Sequence, residues 1–252
     1  MEGKPVIVAN TVGHGPRVTV WVHGWLRSSP MFGSLIPFLD PQADRWIFVD
    51  LPGYGANRKN HGEFTVEGAV RELAHFSDEA GLIQARWVGH SMGGLLIQHL
   101  ALRVPERVGS LVGIAPVPMG GLALNDRARE VYREACTSEE ARYRVLVRLA
   151  GPATSSETIR TWVGQSFSET REDALLSYLD SWSVERQEVL PQGLRSIPFV
   201  LVAGGADPAI TKNRITGSIA PLYRHFELHI LDGIGHLPVE EDASRVARAL
   251  VQ

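Results

Sequence analysis

Only one cysteine, Cys136, occurs among the 252 residues. No intrachain disulfide can form, and nothing in the cysteine usage points to an oxidising compartment. With no CxxC or ligand-spaced partner, Cys136 reads as a small apolar side chain. Long apolar runs are also missing, since none approaches the roughly 18 residues of a membrane span. The opening stretch, MEGKPVIVANTVGHG, lacks the apolar core of a signal peptide, which predicts a cytoplasmic protein. Lysine is confined to Lys4, Lys59 and Lys212 against 22 arginines, and the net charge is −3. That balance leaves no basic footprint for nucleic acid. No HExxH or other ligand spacing suggests a metal, and no glycine-rich loop has a phosphate-binding context. What remains is ordinary globular composition, 44% hydrophobic and 21% charged, long enough to bury a large core.

Short apolar runs rich in β-branched residues alternate with helical patterns, the signature of a parallel sheet wrapped by helices. Strands are expected at PVIVANTV (5–12), VTVWVHG (18–24), RWIFVDLPGYG (45–55), ARWVGH (85–90), VGSLVGIAPV (108–117), PFVLVAGGADP (198–208) and FELHILDGIGH (226–236). Helices are expected at 64–81, after the GHSMGG turn as far as Pro105, and at the end from Asp242. The texture changes between Met119 and Leu190, where strand-like runs give way to charged amphipathic helices. Three helix starts there pair a threonine with an acid three residues on: Thr137 with Glu140, Thr154 with Glu157, and Thr170 with Asp173. The expected class is α/β, with a core at 1–118 and 191–252 and an all-helical insertion at 119–190.

In open parallel sheets reacting groups gather at the C-terminal ends of strands. The polar residues there are His23, Asp50, Ser91, Asp207 and His236. Ser91 sits in VGHSMGG, between Gly89 and Gly93, where a strand runs into a helix. The bare G-x-S-x-G pattern arises by chance in about one such chain in six, so context has to carry the reading. A serine hydroxyl needs a base to take its proton. His14, His61, His75, His99, His225 and His229 fall in polar loops, helical patterns or a strand, and read as surface or core residues. His236 differs, because it follows the last strand on a glycine-flanked loop at the same sheet edge as Ser91. The base needs a carboxylate to fix its tautomer, and Asp207 ends the preceding strand. The loop after the strand at 108–117 reads APVPMGG and offers no rival acid.

The order Ser, Asp, His, together with VWVHGW, DLPGYG, GHSMGG, GGADP and GIGH in sequence, resembles the α/β-hydrolase family from about residue 17 to the C-terminus. The resemblance implies a nucleophile, acid and base at Ser91, Asp207 and His236. It also implies an oxyanion hole from the backbone N–H groups of Met92 and Trp25. His23 and Asp50 are then structural residues. The insertion resembles the family's cap in position and texture. Its aromatic residues Trp162, Phe167, Tyr178 and Trp182 are candidates to line a mostly apolar pocket. The implied chemistry is acyl transfer to water on an ester or thioester, with no cofactor and no metal. The expected partner is a small-molecule substrate, not nucleic acid or membrane. Serine at the elbow departs from the aspartate of epoxide hydrolases and haloalkane dehalogenases. Leu237 departs from the tryptophan of many carbon–carbon hydrolases. A lyase or carbon–carbon hydrolase on the same triad, or a receptor-like binding protein with little turnover, are the alternatives.

Overall fold

In the computed structural model the apolar runs form seven strands of one sheet. They are β1 (Ile7–Val12), β2 (Arg17–Val22), β3 (Asp44–Asp50), β4 (Ala85–His90), β5 (Val108–Ile114), β6 (Phe199–Gly204) and β7 (Phe226–Leu231). The structure describes residues 7–184 and 192–251. The expected start of the first strand at Pro5 and the expected return to the core at 191 lie outside the described residues. Strand order is β1-β3-β2-β4-β5-β6-β7. Among the described strands only β1 pairs antiparallel, with β3; every other strand pairing is parallel. The α/β class read from the alternating pattern is the class observed.

Side chains alternate across the sheet, so each strand feeds two cores. Val20, Val22, Ile47, Val49 and Trp87 face one side, beneath α1 (Val66–Glu79) and α2 (Met92–Arg103). Trp21, Phe48, Val88 and Val112 face the other. Burial on both faces explains why the central strands read as continuous apolar runs rather than alternating ones. The second face is covered by the closing helix and by a 3-10 stretch, Ser29–Phe38, that no sequence pattern predicts. Pro30, Gly33 and Pro37 break any regular helical pattern there. Even so, Met31, Phe32 and Leu35 are buried, and Phe32 lies 5.0 Å from the Trp21 ring.

Between β5 and β6 the chain forms α3 (Asp126–Thr137), α4 (Glu139–Leu149), α5 (Ser156–Glu169) and α6 (Glu172–Trp182). Among the described residues there are four helices where three starts were legible. Their caps also differ from expectation by one residue. Ser138 and Ser155, not Thr137 and Thr154, accept the first-turn N–H groups of Ala141 and Thr158. Thr137 instead closes α3, and the Thr170 hydroxyl bonds back to the Ser166 carbonyl. Such a cap is worth about 1 kcal/mol, enough to choose between adjacent hydroxyls. After β6 come the short α7 (Lys212–Arg214), β7 and α8 (Pro238–Val251).

The sheet order places β3 on one side of β2 and β4 on the other. The winding therefore reverses between β2 and β4, and the loops that follow them diverge to open a crevice. Gly24–Arg27 stand on one side of that crevice and Ser91 on the other.

Candidate active site

Ser91 ends β4 and opens α2 with φ 50° and ψ −114°. A left-handed φ costs a non-glycine residue about 1–3 kcal/mol and persists only where surroundings enforce it. Here they do. A Cβ on Gly89 would stand 2.3 Å from the Gly93 oxygen, and one on Gly93 would stand 2.3 Å from the Val22 oxygen. The Ser91 N–H donates to Ile114 O at 3.0 Å, and its carbonyl accepts from the N–H groups of Gly94, Leu95 and Val117. The turn is thus locked on both sides of the serine.

The structure brings Ser91, His236 and Asp207 into one line. The Ser91 hydroxyl lies 2.8 Å from His236 Nε2, and His236 Nδ1 lies 2.7 Å from Asp207 Oδ2. The second Asp207 oxygen accepts from the N–H groups of Ala209 at 2.7 Å and Ile210 at 3.0 Å. Burial works against ionisation of Asp207, but His236 and these hydrogen bonds outweigh it and hold the carboxyl below its usual range. An ionised carboxylate only accepts, so the His236 proton resides on Nδ1 and the lone pair of Nε2 faces the serine. Burial also opposes charge on His236. The Asp207 charge and hydrogen bond, aided by Glu241, outweigh it and raise the imidazole above its ordinary value. A base with that bias takes a proton readily.

Three supports of this line had no clear signal in the sequence. The His236 N–H donates to the Leu149 carbonyl at 2.7 Å, at the end of α4. Its own carbonyl accepts from His90 Nε2–H at 2.8 Å. Glu241 gathers the N–H groups of Gly151 and Gly235, both at 2.9 Å, and of Leu237 at 3.2 Å. His90 stays neutral, because burial and then the neighbouring His236 push it down to about 3. Its place beside Ser91 in GHSMGG was legible, but its partner came from a loop 146 residues away.

The loop after β2 is fastened to the helical segment residue by residue. Trp25 Nε1 donates to Leu175 O at 2.8 Å, and the Leu26 carbonyl accepts from the Ser166 hydroxyl. Arg27 donates to Trp162 O at 3.0 Å and to Gln165 at 2.9 Å, while pairing with the buried Glu240. The Ser28 hydroxyl donates to Glu169 at 2.7 Å. Buried Arg142 extends the chain by donating to Ser166 at 2.9 Å. The Met92 N–H, first in α2, has no intrahelical acceptor. Trp25 lies across the crevice and shares a cavity with Ser91.

That cavity has a volume of about 40 Å³ and is mostly apolar, with Trp25, Val117, Tyr132, Trp182 and Leu237 beside Ser91 and His236. Of the four aromatic candidates, Trp182 lines it. Trp162 is buried in the core, where its carbonyl receives Arg27. Phe167 lies under the Arg142 guanidinium at 3.7 Å, and Tyr178 packs against Tyr54 and Phe64. Amphipathic faces show which side is buried, not what it is buried against. Tyr132, stacked on Trp25 at 5.5 Å, takes the place expected for these residues.

His23 and Asp50 organise loops. His23 Nδ1–H donates to Gly24 O at 2.9 Å, and its Nε2 accepts from Leu51 N–H at 3.1 Å. Burial lowers its pKa despite Asp50 nearby. Asp50 accepts from the N–H groups of Ser29 and Ala56, both at 2.8 Å. Among the described residues no three His, Cys, Asp or Glu side chains gather as a metal site, and no helix is long and apolar enough to cross a membrane.

A family model described as the alpha/beta hydrolase family matches residues 19–249. The chain is 28% identical to a pimeloyl-[acyl-carrier protein] methyl ester esterase of Xanthomonas oryzae pv. oryzae, over 96% of each chain. It is 36% identical to the protein of the same name from Vibrio parahaemolyticus, but over only 42% of this chain and 39% of that one. Among solved structures, a bromoperoxidase from Bacillus anthracis superposes with a TM-score of 0.82 at 18% identity, covering 96% of this chain and 92% of that one. A thermophilic esterase from Thermogutta terrifontis superposes at 0.81, also at 18% identity, covering 100% and 97%. At such identities the structural likeness concerns the fold alone.

Proposed function

The chain belongs to the alpha/beta hydrolase family, and from that premise we propose that it is a serine esterase acting through an acyl-enzyme. The observation that carries the reading is the unbroken line from the Ser91 hydroxyl through His236 to Asp207, at 2.8 and 2.7 Å. Ser91 Oγ attacks the ester carbonyl carbon while His236 Nε2 takes its proton. Asp207 holds the imidazole in the required tautomer and stabilises the imidazolium. The carbonyl oxygen becomes an oxyanion, which the Trp25 and Met92 N–H groups receive; each such donor is worth about 3–4 kcal/mol. His236 then protonates the departing alcohol oxygen, leaving Ser91 acylated. Water enters, gives its proton to His236, and releases the acid and the free serine.

The segment 119–190 serves as a cap over this site. Its helices supply Tyr132, Leu146, Leu149 and Trp182 to the cavity wall. An apolar cavity of about 40 Å³ suits a small group beside the scissile bond. It is far below the roughly 300–1,000 Å³ of pockets for drug-sized ligands. The relatives named for a methyl ester fit a small alcohol at that position.

The test is release of p-nitrophenol from short-chain p-nitrophenyl esters, with fluorophosphonate labelling mapped by mass spectrometry. Wild type is expected to turn over and to be labelled on Ser91, and Ser91→Ala to do neither while remaining folded. Undiminished turnover by Ser91→Ala refutes the nucleophile. A wild type that neither turns over nor is labelled refutes the esterase reading.

A further inference from the structure

A second pocket, of about 180 Å³, adjoins the cavity at Ser91 and shares Leu122, Tyr132, Leu149 and Ala209 with it. Its outer wall carries Arg148, near the end of α4, and Arg214, in α7, and among the described residues no aspartate or glutamate lines it. Some arginines elsewhere are ion-paired: Arg17 with Asp44, Arg27 with Glu240, Arg107 with Asp78 and Arg144 with Glu134. Among the described residues neither Arg148 nor Arg214 makes an ion pair. Two cations without an ion-pair partner thus share one pocket that adjoins Ser91.

Arg214 is also fixed in place. Its guanidinium donates to the Ala209 carbonyl at 3.0 Å, and the Ala209 N–H in turn donates to Asp207. That single bond to a neutral acceptor leaves other guanidinium N–H groups uncommitted. Tyr132 joins the two pockets electrostatically. Burial raises its phenol, the Arg148 charge opposes that, and the Asp207 carboxylate adds to it. The tyrosine is thus within reach of both the outer cation and the inner acid.

We propose that the outer pocket is an anion subsite, and that the ester cleaved at Ser91 carries a carboxylate or phosphate at the far end of its acyl chain. The proposal rests on the esterase reading given above. Guanidinium groups match both oxyanions through paired N–H donors. The shared apolar wall of Leu122, Leu149 and Ala209 suits the methylene chain between the scissile carbonyl and the anion.

The experiment compares p-nitrophenyl hexanoate with its ω-carboxy and ω-phosphate counterparts, at low and high salt. The expected result is a kcat/KM for at least one anionic ester about tenfold or more above that of the neutral one. That preference shrinks as salt screens exposed arginines, and whichever anion gains more identifies the group. In the double variant Arg148→Gln/Arg214→Gln, the anionic-to-neutral ratio is expected to fall about tenfold. The wild-type ratio and its salt response need no variant, so a misfolded variant leaves the proposal open to refutation. A wild-type ratio at or below one for both anions overturns the subsite, as does a ratio that a folded double variant retains. Ser91-dependent turnover of the neutral ester separates these results from failure of the esterase reading. Absence of turnover on all three esters overturns both.

Discussion

Replacing Ser91 by glycine is expected to give a more stable protein than replacing it by alanine, the reverse of the usual order. Both substitutions remove the hydroxyl and its 2.8 Å contact with His236, so that loss cancels in the comparison. What differs is the backbone. With φ at 50° and ψ at −114°, any side chain at this position is strained, by about 1–3 kcal/mol. Glycine relieves that strain but loses about 0.5–1 kcal/mol through the greater freedom of its unfolded chain. The net gain of glycine over alanine is about 0.5–2 kcal/mol. For a chain of this length each kcal/mol moves the melting temperature by about 2–4 °C. Ser91→Gly is therefore expected to melt about 1–8 °C above Ser91→Ala by calorimetry, with the same order in urea and an unchanged m-value. A glycine variant that melts at or below the alanine variant refutes the argument that the elbow stores strain.

Asp207→Asn removes the charge that holds the His236 tautomer; kcat is expected to fall by about 10⁴, and a smaller loss than tenfold counts against the assignment. In wild type the raised His236 pKa puts the acid limb of kcat/KM above the ordinary histidine value near 6.5, and residual activity of Asp207→Asn is expected to titrate at lower pH. His90, buried and held to about 3, takes up its proton only on unfolding between pH 6.5 and 3, so its contribution to stability falls as pH falls through that window. His90→Gln removes this acid penalty, and its stability relative to wild type is expected to improve by about 3 kcal/mol between pH 7 and pH 4; a gap that does not move with pH refutes the reading. Ser166→Ala leaves the Leu26 carbonyl and an Arg142 N–H without a partner, at a cost of about 1–3 kcal/mol. If the tethers also position the Trp25 N–H, kcat drops with KM little changed, and affinity for a trifluoromethyl ketone drops in step with kcat; a loss of stability alone marks Ser166 as purely structural.

The sheet was legible because strands buried on both faces must be apolar throughout, and because Gly and Pro punctuate their ends. The positions of Ser91, Asp207 and His236 were legible for a related reason. Parallel strands deliver their C-terminal ends to one edge, so residues far apart in sequence have only one place to meet. Gly89 and Gly93 flank the serine in the sequence, and the 2.3 Å distances show what a side chain on each would strike. The Ser29–Phe38 stretch was not legible, since its prolines and glycine hide three buried side chains.

Tertiary structure alone decided what each amphipathic helix packs against. It sent Trp162 and Tyr178 into the core, laid Phe167 under Arg142, and left Tyr132 and Trp182 beside Ser91. It also gave His90 and Glu241 their partners and fastened Trp25 to Ser28 onto α5 and α6. Periodicity records which face of an element avoids water, a property of the element by itself. A pocket wall or a buried hydrogen bond belongs to two elements at once, and its second member is named only when the chain has folded.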